Sequence, residues 1–394
     1  MSRERLVEMT RINIDHHVRG ATGRTDAITA IPASNYFDRG RWQQEVDLIF
    51  KRLPLALALS AELRQPATYK AMEVLDTPVL LCRDENRRVR AFINMCSHRG
   101  TMLVEEGGGQ ARRFTCPYHG WSYDCAGKLV GIFRERDFGE IDRETLGLVE
   151  LPCAERAGIV WVNLSPDPAV DVDTFLGGYD KVLDFLGLAD MVHHGRRVLP
   201  GPNWKVAFDG YVDFYHLPQL HRNTFGENTS PDAVFHPFGP HQRIASPSDK
   251  ADKLAKLPEE QWAVRDMIGG VWSIFPHASV AGFRVGGTLV YQVARLFPGA
   301  DPESSITHLD FVSLEQPDDP DFASLVDKQI DFLLSVVRDE DYHTGLKIQR
   351  SLRSGARKEL LFGRNEGGAQ HVHGWLDRVL ECTDEDLPAL FNGR

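Results

Sequence analysis

The chain has 394 residues, enough that two domains are the starting expectation. Its composition, 42% hydrophobic and 26% charged, is that of an ordinary globular protein, and a formal charge of −11 argues against a nucleic-acid partner, which needs a basic field. No apolar run approaches the roughly 18 residues that span a bilayer, and the charged start MSRERLVEMTRINIDHH lacks the apolar core of a signal peptide. A cytoplasmic location is therefore expected, with no membrane partner, and the six cysteines are expected as thiols or ligands rather than disulfides.

In chain order, residues 1–44 read as mixed and polar. From 45 to 165 short β-prone runs alternate with turn signals: PVLLC, a turn at 84–86, VRAFINM, RRFTC, WSYD, LVGIF and GIVWVNL. This predicts a small antiparallel β domain. GGGQ at 107–110 reads as a loop tip, and SPDPAVD at 165–171 reads as a linker. Beyond it the pattern becomes α+β. VDTFLGGYDKVLDFLGL and NWKVAFDGYVDFYHL read as helices, and GTLVYQVARLFP and THLDFVSLEQP as strands. Residues 320–355 read as one long helix whose Leu325, Ile330, Leu333, Leu334, Val336 and Val337 form an apolar face. The expected architecture is α+β, with a small domain over 45–165 and a larger one built from 1–44 and 166–394.

Two clusters carry chemistry. The first is Cys96-Ser-His98-Arg-Gly100 with Cys116-Pro-Tyr-His119-Gly120-Trp121. Two thiolates and two imidazoles suit zinc or a [2Fe–2S] cluster with mixed ligands. Zinc fingers usually place both thiols on one arm and both imidazoles on the other. Here each arm supplies one of each, so each arm can reach both irons, and the arrangement favours the cluster.

The second is Asp213-Phe-Tyr-His216-Leu-Pro-Gln-Leu-His221. On a helix Asp213 and His216 share a face, and Pro218 is expected to break that helix and return His221 toward His216. Two imidazoles and one carboxylate make the facial triad that holds non-haem iron with positions open for O₂. Spacing alone selects Asp213 as the carboxylate, with Asp341 on the long helix as its rival.

Together these motifs resemble the Rieske non-haem iron oxygenases, as the catalytic α subunit, over roughly residues 45–355. Asn203-Trp204-Lys205, Asp213-x-x-Tyr215-His216-x-x-x-x-His221 and Glu340-Asp341 ahead of Gln349 are similar to the family's iron motif. The resemblance implies a cluster on Cys96, His98, Cys116 and His119, and an iron on His216, His221 and Asp341. Asp213 then takes the family's bridging role, between His216 and the cluster histidine His119 of a neighbouring subunit in a homotrimer. It also implies a small organic substrate, aromatic in the main reading, hydroxylated with O₂ or demethylated, and electrons from NAD(P)H through a separate reductase, with or without a ferredoxin. An electron carrier lacking oxygenase activity is the remote alternative. Three positions depart from the family pattern: Gly210 and His277, where asparagine is common, and Leu346, where glutamate is common. Gly210 and His277 are expected to reshape the pocket. His371 and His373 read as a solvated helix start.

Overall fold

The structure is a computed structural model, and it describes residues 2–226, 229–247, 250–285, 287–314 and 320–392. Its frame is a seven-stranded antiparallel sheet. Across the sheet the strands run Val192–Gly201, Ser305–Ser313, Thr288–Pro298, Ala278–Val285, Val271–Ile274, His241–Ala245 and Val234–Phe238. Six of these, from Val234–Phe238 to Ser305–Ser313, are consecutive in the chain and all but one connection is a short turn, so register is set largely by neighbouring strands. The helix Pro320–Val336 covers this sheet, burying Phe322, Val326, Ile330, Leu333 and Val336. Leu325 is exposed, contrary to the expected apolar face, because it falls off the stripe that Val326 and Ile330 define.

The β-rich segment forms smaller antiparallel sheets. Thr77–Arg83 lies between Thr68–Val74 and Val89–Ile93. Arg113–Thr115, Ser122–Asp124 and Leu129–Gly131 make a three-stranded sheet that carries the second cysteine loop. Two apolar cores result. The smaller contains Cys96, Cys116, Trp121 and Tyr123, and the larger joins the seven-stranded sheet to the strands Leu55–Leu59 and Ile159–Val162. The 165–171 stretch is tied to that larger core: Val170 is buried, and the Asp171 side chain caps the helix Val172–Leu176 by accepting from Thr174 N–H.

Several local expectations are corrected. Gly107–Gln110 is an edge strand paired with Thr68–Ala71 rather than a loop tip. A Cβ at Gly108 would sit 3.1 Å from the Tyr69 carbonyl oxygen, so the bare backbone permits this close pairing. The helix expected from 172 breaks at Gly177 and Gly178, whose φ values of +52° and +87° are left-handed. Residues 2–18 form a helix that buries Leu6, Val7 and Met9. The end of the expected THLDFVSLEQP strand, from Glu315 on, lies outside the described residues.

One buried ionic network pins the two parts together. Asp310 on the large sheet meets Arg295, His193 Nε2 at 2.7 Å and Arg196 Nε at 3.3 Å. Glu62, from the segment leading into the small sheets, meets Lys70 and lies 3.4 Å from Arg196 Nη2. Glu62, His193 and Asp310 sit close enough to hold a cation, but the two guanidinium groups already supply the opposing charge.

Candidate metal centres

The two cysteine loops are built alike. Gly100 N–H donates to Cys96 O at 2.9 Å, and Gly120 N–H to Cys116 O at 3.0 Å. Both glycines turn with positive φ, +77° and +70°, which a side chain would resist. The His98 and His119 ring centroids lie 4.7 Å apart, and Trp121 stacks on His98 at 4.9 Å. Nδ1 of both histidines is buried without a hydrogen-bond partner. Two orphaned imidazole nitrogens beside two buried thiols are costly as they stand, and they fit a bound cluster. Burial raises the Cys116 thiol, but the backbone N–H groups of His119 and Tyr118 outweigh it and hold the thiol below its usual value, favouring the thiolate ligand. The Tyr123 hydroxyl lies 3.3 Å from Cys96 Sγ and accepts from Ser97 N–H at 3.0 Å, bracing the first loop.

The second centre lies at the mouth of the helix layer. The helix Trp204–Tyr211 starts at Asn203, whose side chain accepts from Lys205 and Val206 N–H. It ends before Asp213, so Asp213 is not on a helix as expected. An Asx turn, Tyr215 N–H to Asp213 Oδ1 at 2.5 Å, brings the carboxylate back to His216. Pro218 does not break a helix either; it opens the short turn Leu217–Leu220, where its missing N–H costs nothing. His221 closes that turn, its ring centroid 5.2 Å from that of His216.

Asp341 arrives on a wide helical turn, Val337–Tyr342, with π-type bonding between two α-helical segments. Such turns often mark functional sites. Asp341 Oδ1 lies 3.2 Å from His221 Nε2 and 3.6 Å from His216 Nε2. The ligand atoms of His216, His221 and Asp341 all fall within 4.8 Å of one another. Each imidazole is held from behind: His216 Nδ1 by Asp213 Oδ2 at 3.0 Å, and His221 Nδ1 by Glu340 Oε2 at 2.5 Å. The structure therefore brings Asp213 and Asp341 to the same histidines in different places, Asp213 behind and Asp341 in front. Burial pulls His221 down, but Asp341 and Glu340 outweigh it and raise the imidazole above its usual value. Three facing donors of this kind fit a divalent iron.

Glu340 was not singled out by sequence reasoning except as the neighbour of Asp341. Thr224 donates to its other oxygen, so the carboxylate is fixed from two sides. The available signal was a run of three acids, Asp339, Glu340 and Asp341, shortly after the buried residues Val336 and Val337. Glu340→Gln is expected to lower iron affinity about 10–100-fold, read as iron content after dialysis against a chelator.

A cavity of ≈ 300 Å³ opens onto His216, His221 and Asp341. Leu217 and Val336 line it, whereas Phe208, Val212 and Phe275 are core residues and Phe332 is surface-exposed. Gly210 also lines it, and a Cβ there would meet nothing within 4 Å. His277, expected to reshape the pocket, does not line it. It is buried beside Phe50 and Phe297 and accepts from Ala56 N–H at 3.2 Å, and burial lowers its imidazole to about 3. His373 is likewise no solvated residue: it is buried against Asp209 at 3.0 Å and Tyr36 at 3.0 Å. Tyr36 donates to Asp209 at 2.8 Å, making Asp209 a hydrogen-bonding acid.

Two centres of this kind in one chain, a mixed cysteine–histidine cradle and a histidine–carboxylate triad, define an iron oxidoreductase. Residues 54–140 match the Rieske [2Fe-2S] domain, and residues 188–382 match the ring hydroxylating alpha subunit (catalytic domain). The chain belongs to the Rieske non-haem iron oxygenases, as a terminal oxygenase component. It is 26% identical to the carnitine monooxygenase oxygenase subunit of Escherichia coli (strain K12), over 89% of this chain and 94% of that one. It is 32% identical to the biphenyl 2,3-dioxygenase subunit alpha of Rhodococcus jostii (strain RHA1), over 46% of this chain but only 41% of the relative's length. Naphthalene 1,2-dioxygenase from Rhodococcus sp. bound to indole shares the fold, with a TM-score of 0.73, 20% identity, and coverage of 95% of this chain and 98% of that one. Members of the family use electron-transfer partners and small substrates. No described helix is long and apolar enough to cross a membrane.

Proposed function

We propose that this chain is the terminal oxygenase of a system that hydroxylates an aromatic substrate with O₂ and electrons from NAD(P)H, delivered by a separate reductase with or without a ferredoxin. The observation that carries the proposal is the apolar cavity opening directly onto His216, His221 and Asp341. These three residues hold the iron, and Cys96, His98, Cys116 and His119 hold the cluster. When bound, the cluster supplies single electrons and the iron activates O₂. Asp213 keeps the proton on His216 Nδ1 and Glu340 does so on His221 Nδ1, leaving each Nε2 lone pair free for the metal.

The two centres sit in separate cores, which favours transfer between subunits over transfer within one. Met95, Met102, Tyr118, Phe133 and Phe138 are exposed on the small domain, and Tyr215 is exposed beside Asp213. In a closed ring of three subunits these surfaces cover one another, and Asp213 bridges His216 to His119 of the partner subunit. The domain limits that fit this arrangement are 45–165 for the cluster and 1–44 with 166–394 for the iron.

Single turnover of chemically reduced protein with labelled O₂ tests the reading. A panel of aromatic hydrocarbons, methoxyarenes and N-methyl compounds is expected to yield labelled hydroxylated arenes. Release of formaldehyde would instead make the protein a demethylase, the second reading, which the full-length similarity to a carnitine monooxygenase subunit favours. A protein that carries both metals and oxidises no member of the panel while its cluster stays reduced would sink the oxygenase assignment.

A further inference from the structure

Besides Tyr211, whose hydroxyl is buried next to Tyr342, the cavity contains two polar side chains that the iron chemistry leaves unused. Ile244, Val271, Ala281, Gln292 and Phe311 are successive cross-strand partners on five strands of the large sheet. Cross-strand partners point to the same face, so Gln292 is one amide in an otherwise apolar row. It lines the cavity and is only 6% exposed, and its amide hydrogen-bonds no other described residue. Ser279 lies two residues before Ala281 on the same strand and therefore on the same face. It too lines the cavity, is 2% exposed, and has a hydroxyl with no bond to another described residue.

Neither group is sealed off from the cavity, so an amide and a hydroxyl with no protein partner are presented to whatever occupies it. The rest of the lining limits what that ligand is. Leu333, Val336 and Val337 face the sheet from the helix layer, and Phe225 and Phe283 add aromatic surface. Among the described residues no lysine or arginine lines the cavity, and its two acids, Asp213 and Asp341, are engaged with the iron histidines. A carboxylate placed at the wall formed by Gln292 and Ser279 would be a charge with no side-chain counter-charge.

We infer that the cavity takes an aromatic or alicyclic substrate bearing one neutral hydrogen-bonding group, a carbonyl, amide or hydroxyl, which Gln292 and Ser279 bind. This rests on the oxygenase reading and names its substrate class. It separates this chain's substrate from a zwitterion such as carnitine, whose carboxylate finds no cation in the cavity, and from plain hydrocarbons, which leave the amide unpaired.

Calorimetric titration of the iron-loaded protein with indanone, indane, indanecarboxylate and L-carnitine tests this without turnover. Indanone is expected to bind about tenfold more tightly than indane, the ratio one good neutral hydrogen bond supplies, and the two charged probes are expected to bind most weakly. In Gln292→Leu the indanone-to-indane ratio falls to about one. Thermal melting reports whether that variant folds; if it does not, Ser279→Ala serves, and its ratio is expected to fall in the same direction. A ratio unchanged in the folded variant, or a charged probe binding more tightly than indanone, overturns the inference. Selective indanone binding by a protein that oxidises nothing in single turnover would remove the oxygenase reading and leave the substrate class standing. Oxidation of hydrocarbons with no preference for indanone would do the reverse.

Discussion

His216→Ala is expected to abolish product formation while the cluster keeps its visible and paramagnetic spectra. His216 contributes one of three donors whose ligand atoms lie within 4.8 Å of one another, and an imidazole replaced by a methyl group leaves two. Removing even an outer partner of a metal ligand costs about 10–100-fold in affinity or activity, so loss of a ligand itself should exceed about 100-fold. The cluster loops belong to the smaller core with Trp121 and Tyr123, away from this histidine, so their spectrum should not respond. Metal analysis should show the cluster's pair of irons retained and the additional iron lost. Loss of both centres together would count against two independent sites. Asp213→Asn separates two roles at the same position. Its amide can no longer hold a charge-assisted bond to His216 Nδ1, now 3.0 Å from the carboxylate. Both metals should remain, and reoxidation of the cluster in the presence of substrate should slow by about 10–100-fold. Normal coupled turnover in that variant would refute the bridging role.

The second large effect concerns stability. Asp310→Asn is expected to destabilise the protein by about 3–5 kcal/mol, because it leaves buried guanidinium charge without its counter-charge. Asp310 is fully buried, and its partners Arg295, Arg196 and His193 belong to strands on either side of it. Burial alone would raise its carboxyl, but Arg295, the His193 hydrogen bond and Arg196 hold it well below the ordinary aspartate value of 3.8. A carboxyl depressed in the folded state adds stability that is complete above its unfolded value and is lost as pH falls through its folded value. Denaturant titration should therefore show the full gap between wild type and Asp310→Asn at neutral pH. The gap should narrow as pH falls below about 4. A gap that is small at neutral pH, or that widens in acid, would contradict the network's role.

Much of the site was legible in the chain. Cysteine and histidine appear once on each arm of the first motif, and such short spacings are closed by a local turn, which Gly100 and Gly120 make in the same way. The strands of the small sheets were legible because period-two patterns and turn residues are local signals. What failed were positions where a distant neighbour overrules local preference. Gly107–Gln110 carries no strand pattern and is a strand because Thr68–Ala71 offers it an edge. His277 was expected at the pocket and His373 in solvent, and both are buried because hydrogen-bond partners from elsewhere in the chain, Ala56 and Asp209, await them.

The sequence by itself determined the ligand types, their pairing within each short motif and the class of iron chemistry, since those depend on residues a few positions apart. Spacing alone pointed to Asp213 and the family resemblance to Asp341, and where each carboxylate meets the histidines was decided by tertiary structure. Asp213 is tied to the rear nitrogen of His216 by a turn that ends the preceding helix, and Asp341 is carried to the front nitrogens of both histidines by a wide helical turn more than a hundred residues later in the chain. The substrate wall was decided the same way. Gln292 and Ser279 become neighbours of the iron site only when antiparallel pairing lays their strands side by side beneath the helix that carries Asp341, and no local pattern encodes that contact.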